Sequence, residues 1–319
     1  MKLTIVLTVY NKEPYLRRAL DALLLQEGVR DDEYEVLAVN DGSTDGSITI
    51  LDEYAAKNKR IRILTQKNQG LSMARNNGTE EAKGEYVWYV DADDIISKDA
   101  VFNVLEACKK TPDVITIQSR YEDTGIVANE IDITADTGSR VLRSRWQDCG
   151  VYYILKRSFV LYNGLEFFPN IYHEDDEFTP RMLYLAKTVV VIPRVLYHIY
   201  REPNSITQKP RAKRAFDYLI VADHLYSFVV QHDLMKTTEG SIILSHASIC
   251  INNSLSIICQ NMKEEQKRFD NDFYNNRKTL LSVLRASSPI KYKLEAMIFG
   301  LFPGKYVLGY KILRIFSKR

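Results

Sequence analysis

The stretch Glu85-Tyr86-Val87-Trp88-Tyr89-Val90-Asp91-Ala92-Asp93-Asp94 runs an apolar segment straight into three carboxylates. Such a segment reads as a strand buried on both faces. Three acids where it emerges repel one another and resist burial, so they need a counter-charge such as a divalent cation. Asp91 and Asp93 are the candidate metal ligands, because residues two apart in an extended chain share one face. Asp94 points elsewhere and is placed to start a loop or helix. The competing reading is a helix N-cap, since Asp is a favoured capping residue and a helix is expected from about Lys98.

Outward from this strand, to about residue 118, apolar runs alternate with helical patterns. Leu3 to Val9, Tyr34 to Val39, Ile61 to Leu64 and Val114 to Ile117 are expected strands of the same buried type. Between them, Leu16, Leu20, Leu23 and Leu24 form one helical stripe, Ile48, Leu51 and Ala55 a second, and a third helix is expected from Leu71 to Lys83, closed by Gly84. The order predicts an α/β domain with a mostly parallel central sheet. Residues 120 to 150 read as loops and short hairpins, and Val151 to Leu161 as a strand or a short helix. His173-Glu174-Asp175-Asp176-Glu177 opens a further helix, and Val189 to Ile192 is another buried strand. After about Arg211 Gly and Pro become scarce and the periodicity is helical. The expected division is a domain over 1–210 and a C-terminal helical appendage over 211–319.

The 319 residues carry a net charge of +2, with 26% charged and 45% hydrophobic residues, the balance of an ordinary globular protein. Nucleic acid is not an expected partner. Cys108, Cys149, Cys250 and Cys259 lack any C-x-x-C spacing, which argues against a zinc site or disulfide framework and suits a reducing compartment. The first apolar run has no small-residue cleavage site after it and reads as a strand, not a signal peptide. No apolar run is read as reaching the roughly 18 residues that cross a bilayer, so the expected location is the cytoplasm or a membrane surface. In the tail, Leu308, Ile312 and Ile315, with Phe316 beside them, face away from Lys311, Arg314 and Lys318. That amphipathic, basic helix is expected to lie on the inner face of the membrane; packing on the appendage or on a second subunit is the alternative.

Several loops fall at the carboxyl ends of the expected parallel strands, where open α/β sheets bind ligands. They are Thr8-Val9-Tyr10-Asn11, Asn40-Asp41-Gly42-Ser43-Thr44-Asp45-Gly46 and Asp91-Ala92-Asp93-Asp94, with Asn68-Gln69-Gly70-Leu71-Ser72 and Ala74-Arg75-Asn76 between them. Together these strings resemble glycosyltransferase family 2, inverting enzymes of the GT-A fold that use nucleotide sugars. The likeness covers about residues 3 to 95 and resumes at Glu174-Asp175 and near Tyr197 to Ser205. It implies that Thr8, Tyr10 and Asp41 line the pocket for base and ribose, with Asp41 accepting from a uracil N–H. It also implies Arg75 near the nucleotide, Asp91 near ribose and metal, Asp93 on Mn²⁺ or Mg²⁺, and Asp175 as the general base. The expected donor is a UDP-sugar and the expected acceptor a saccharide or lipid-linked saccharide in bacterial surface-polysaccharide assembly.

Bland readings stand beside these: Asn40-Asp41-Gly42 as a turn, Arg75 as a solvated helix residue, and His198 as a structural histidine instead of a member of the metal shell. No G-x-x-x-x-G-K-[ST] or G-x-G-x-x-G string is present. Two other functions share the expected fold. One is a non-catalytic nucleotide-sugar or carbohydrate binding protein, against which Asp91, Asp93 and Asp175 count. The other is a sugar nucleotidyltransferase, which needs a glycine- and lysine-rich loop where this chain has Tyr10-Asn11-Lys12-Glu13-Pro14.

Overall fold

Four of the expected strands, β1 (Leu3–Val9), β2 (Tyr34–Asn40), β3 (Ile61–Thr65) and β4 (Tyr86–Asp91), lie in the order β3-β2-β1-β4, all parallel. This is a computed structural model, and it describes residues 1–144, 146–201 and 212–316. Every residue of β1 and β2 is buried, as unbroken apolar runs require. The crossovers are α1 (Glu13–Leu24), α2 (Ser47–Lys57) and α3 (Leu71–Glu81). Helix α3 lies close on the sheet: a Cβ at Gly78 would stand 2.4 Å from Val6 Cγ1. Thr8 is paired with Asp91 and Val9 with Asn40, so the carboxyl ends of three strands line up at one edge.

Beyond β4 short antiparallel pairings join the expected parallel core of the sheet. After β5 (Ile95–Ile96) and α4 (Ala100–Cys108), β6 (Val114–Tyr121) does not join β4. Past β7 (Val127–Ala128), α5 (Gly138–Leu142) and a single 3₁₀ turn, β8 (Tyr153–Lys156) inserts between β4 and β6, antiparallel to both. Its Tyr153, Ile154 and Leu155 are buried, and Trp88 Nε1 donates to the Val151 carbonyl at 2.9 Å at its start. The segment Val151 to Leu161 is thus both a strand and a helix, α6 (Arg157–Tyr162). After α7 (Glu174–Leu185), β9 (Val189–Ile199) runs parallel to β6 and antiparallel to β5. The strand expected over Val189 to Ile192 continues past Pro193 to Ile199. Ile117 pairs Ile192 while Gln118 pairs Val195, so Pro193, which has no N–H to donate, is left out of the ladder in a bulge.

By compactness the chain forms two units: Met1–Asn170 with Met182–Pro203, and Ile171–Arg181 with Asn204–Arg319. The first holds the whole sheet. The second holds the start of α7 and the helices α8 (Ala212–Gln231), α9 (Thr238–Ile258), α10 (Lys263–Asn275), α11 (Arg277–Ala286), α12 (Ile290–Leu301) and α13 (Tyr306–Phe316). Residues 171–181, assigned to the first domain from sequence, therefore pack with the second unit.

Contrary to the sequence reading, α9 is long and apolar enough to cross a membrane, with a mean hydropathy of 1.4 over 18 residues. Its Ile243, Leu244, Ala247, Ile251, Leu255 and Ile258 are fully buried, which is the pattern of a core helix. In α13, Tyr306 and Val307 are buried, with the Tyr306 ring stacked on Phe273 at 4.2 Å, while Leu308 is exposed and Ile312 half-buried. Lys318, the side chains of Ile315 and Phe316, and residues 202–205 of the family likeness lie outside the described residues.

Candidate active site

The aligned carboxyl ends of β1, β2 and β4 gather most of the residues singled out from sequence. Thr8 is the last but one residue of β1, and its hydroxyl donates to Asp91 Oδ1 at 3.2 Å. Arg75, carried by α3, is 1% exposed and reaches the same oxygen with Nη2 at 3.4 Å, which excludes the solvated reading. Its guanidinium lies 5.1 Å from the centroid of the Phe167 ring, itself edge-on to Tyr89. Asn76, next on α3, fixes Phe167 by two backbone hydrogen bonds, of 2.8 and 2.9 Å. Thr8, Arg75 and Asp91 are thus one cluster, while Tyr10 stands 47% exposed at the end of β1.

Asp41 follows β2 directly and is buried. Its Oδ1 accepts from Gln66 Nε2 and Gln69 N, both at 2.8 Å, and its Oδ2 from Gly70 N at 2.9 Å. The carboxylate therefore anchors the chain that enters α3, where backbone N–H groups favour negative charge. Three acceptances leave room for about one more on its two oxygens. Gly42 makes the turn possible: its φ is +71°, and a Cβ there would come within 2.8 Å of the Asn68 nitrogen. The loops after β1 and β2 are tied together as well. Asn11 Oδ1 accepts from Thr44 N at 2.8 Å, and Glu13 Oε2 from Gly46 N at 2.8 Å.

Past Asp91 the chain turns, Asp94 N donating to the Asp91 carbonyl at 3.1 Å, and the three acids part company. Asp93 pairs with the Lys12 ammonium, and Arg18 Nη2 donates to its carbonyl at 2.6 Å. Asp94 is buried and accepts from Tyr197 Oη at 2.9 Å and Tyr200 N at 2.8 Å. It caps no helix: α4 starts later, with Asp99 at its N-cap position. Burial, with repulsion from Asp91 and Asp93, pushes the Asp94 carboxyl up to about 8. Burial likewise raises Asp93, Asp91 adding to the rise and Lys12 opposing it.

The two remaining carboxylates fit a hard divalent cation. The Asp91 and Asp93 side chains are 32% and 19% exposed, and their oxygens are the donors such ions take. The Lys12 ammonium is already drawn to the charge they concentrate. His198 is held at both ring nitrogens, by Ser97 Oγ and Glu122 Oε1, each at 2.8 Å, and so fastens β5 to β9.

Asp175 belongs to the second unit, in the first turn of α7. There the four consecutive acids separate by burial. Glu174, Asp176 and Glu177 are buried, and only Asp175 is half-exposed. Glu177 pairs with Arg181 at 2.7 Å. Asp176 takes His246 Nε2 at 3.3 Å, His173 Nδ1 at 3.5 Å and Cys250 Sγ at 3.6 Å. The ligand atoms of Asp176, His246 and Cys250 lie within 4.8 Å of one another, a buried polar knot that joins α7 to α9. Sequence reasoning passed over Lys12, Gln66 and Tyr197. Lys12 alone carried a signal, as the one cation in the loop that follows β1.

The model of the family described as Glycosyl transferase family 2 matches residues 4–149. Putative glycosyltransferase EpsH of Bacillus subtilis is 28% identical over 78% of this chain and 76% of its own length. An uncharacterized glycosyltransferase of Haemophilus influenzae is 30% identical over 55% of this chain and 69% of its own. Among solved structures, S. aureus TarS 1-349 in complex with UDP-GlcNAc superposes with a TM-score of 0.73 at 20% identity, covering 97% of this chain and 89% of that one.

Proposed function

The chain belongs to glycosyltransferase family 2, and on that premise we propose that it transfers a sugar, with inversion, from a UDP-linked donor to a saccharide or lipid-linked saccharide in bacterial surface-polysaccharide synthesis. One observation carries the reading. The Asp91-Ala92-Asp93 turn leaves β4 directly beside Thr8 and Arg75, with Asp41 at the neighbouring strand end. A nucleoside diphosphate needs that combination of a polar pocket and concentrated negative charge that can recruit a cation. The UDP-GlcNAc bound by TarS supports a UDP donor here.

In this reading Thr8, Tyr10 and Asp41 receive base and ribose, Arg75 holds Asp91 in place, and Asp91 with Asp93 would hold Mn²⁺ or Mg²⁺. A dication held there supplies positive charge to the departing diphosphate. The Asp175 carboxylate takes the proton of the acceptor hydroxyl as that oxygen bonds to the anomeric carbon. The bond from that carbon to the diphosphate breaks on the opposite side, and UDP leaves. Asp175 suits the role better than its neighbours, because it is half-exposed while Glu174, Asp176 and Glu177 are buried.

The test is incubation with a panel of UDP-sugars and an acceptor extract, with and without Mn²⁺. UDP released in step with glycosylated product is expected. Pyrophosphate formed from sugar phosphate and UTP would instead make the chain a nucleotidyltransferase, and binding without turnover a carbohydrate-recognition protein. The working place of such an enzyme is the cytoplasm or the inner membrane face, where nucleotide sugars and lipid carriers meet.

A further inference from the structure

Helix α12 buries one face and offers the other. Tyr292, Ala296 and Phe299 are buried, with the Phe299 ring 5.8 Å from that of Phe273. At about 100° per residue the opposite side collects Ile290, Leu294, Met297 and Leu301 within an arc of roughly 60°. These four are 74%, 52%, 66% and 76% exposed. One exposed leucine needs no explanation, but four large apolar side chains in register on one helix do. In α13, by comparison, Tyr306 and Val307 are buried and Leu308 is exposed.

The rim of the stripe decides its occupant. Lys291 and Lys293 flank it on either side and are exposed. The one acid of the helix, Glu295, lies toward the buried side and accepts from Asn252 at 2.8 Å. From Arg277 to Arg319 the sequence has ten Lys and Arg residues against that single acid. A second copy docked face to face would bring lysine rims together, and like charges across an interface disfavour such pairing.

We infer that this face of α12 docks on an anionic lipid surface, Ile290, Leu294, Met297 and Leu301 entering the headgroup boundary and Lys291 and Lys293 meeting lipid phosphates. The inference goes beyond the sugar-transfer reading and is tested without donor or acceptor, so either can fail alone.

The full chain is floated with phosphatidylcholine vesicles that contain or lack phosphatidylglycerol, at low and physiological salt. Wild type is expected on the anionic vesicles, less so as salt rises. Leu294→Glu/Met297→Glu and Lys291→Glu/Lys293→Glu are each expected to lose about tenfold or more in partitioning, with unchanged far-UV circular dichroism and UDP binding. Wild type that stays unbound on anionic vesicles overturns the inference, as do folded variants that bind like wild type. A dimer by sedimentation velocity that Leu294→Glu/Met297→Glu dissolves, without vesicle binding, would assign the stripe to a second copy instead.

Discussion

Asp93 is pulled two ways. Burial and the charge of Asp91 disfavour its ionised form, and Lys12 favours it. A cation that arrives with a nucleotide would relieve the first effect and compete with the second. Asp93→Asn should abolish cation-dependent UDP binding and leave the fold intact, which calorimetry with and without Mn²⁺ and a urea titration would establish together. Wild-type affinity indifferent to Mn²⁺ would sink the metal assignment. Asp175 poses a different question. In the first turn of α7 it also complements the helix dipole, an effect below about 2 kcal/mol. Asp175→Asn should keep UDP-sugar affinity and stability and slow transfer by roughly two to four orders of magnitude. Near-normal rates would return Asp175 to a purely electrostatic place at the helix end.

At the scale of elements, the sheet end far from the site is held by a buried carboxylate. Glu35 on β2 accepts from Thr4 Oγ1 at 2.8 Å, Arg62 Nε at 2.7 Å and Lys83 N at 3.0 Å. Burial raises its pKa, but the bonds from Arg62, Lys83 and Thr4 outweigh that and the net shift is downward. An acid held below its unfolded value of 4.5 stabilises the fold above that pH, and the stabilisation is lost as pH falls through the lower folded value. Glu35→Gln should therefore cost about 1.5–3 kcal/mol in urea at pH 7, and the gap to wild type should close in acid. A gap of the same size at pH 3 would show that shape, not charge, matters there. Gly78 permits the close approach of α3. Gly78→Ala should cost about 1–3 kcal/mol by overpacking on Val6, offset by at most about 1 kcal/mol of helix propensity. Because α3 carries Arg75, UDP affinity should fall with stability. Equal stability and affinity would mean that the sheet yields.

Across the whole molecule, legibility followed burial. Strands β1 to β4 could be read because both of their faces are covered, which forces continuous apolar runs. The residues at their carboxyl ends were legible with them, since an α/β sheet gathers its strand ends. Four-residue β8 was ambiguous: Tyr153 to Lys156 is too short for a period to declare itself, and only its place between β4 and β6 makes it a strand. Strand β9 looked broken because Pro193 interrupts it. The acids of α7 could not be ranked from sequence, since the side chains that bury Asp176 and Glu177, such as His246 and His224, lie far along the chain.

The passage of the chain between its units at residues 170, 181 and 203 bears on descent as much as on folding. A gene that exchanged its C-terminal part at one crossover, near residue 203, would inherit helices from one parent and residues 171–181 from the other. Asp176 would then have to find a new His246 and Cys250, and Asp175 would stand on a turn whose packing no longer matched. The two parts are heritable as a pair. Grafting a foreign helical unit at residue 203 alone should give poorly cooperative unfolding and proteolytic nicking within 171–181, whereas a graft that also carries that short segment should restore a sharp transition.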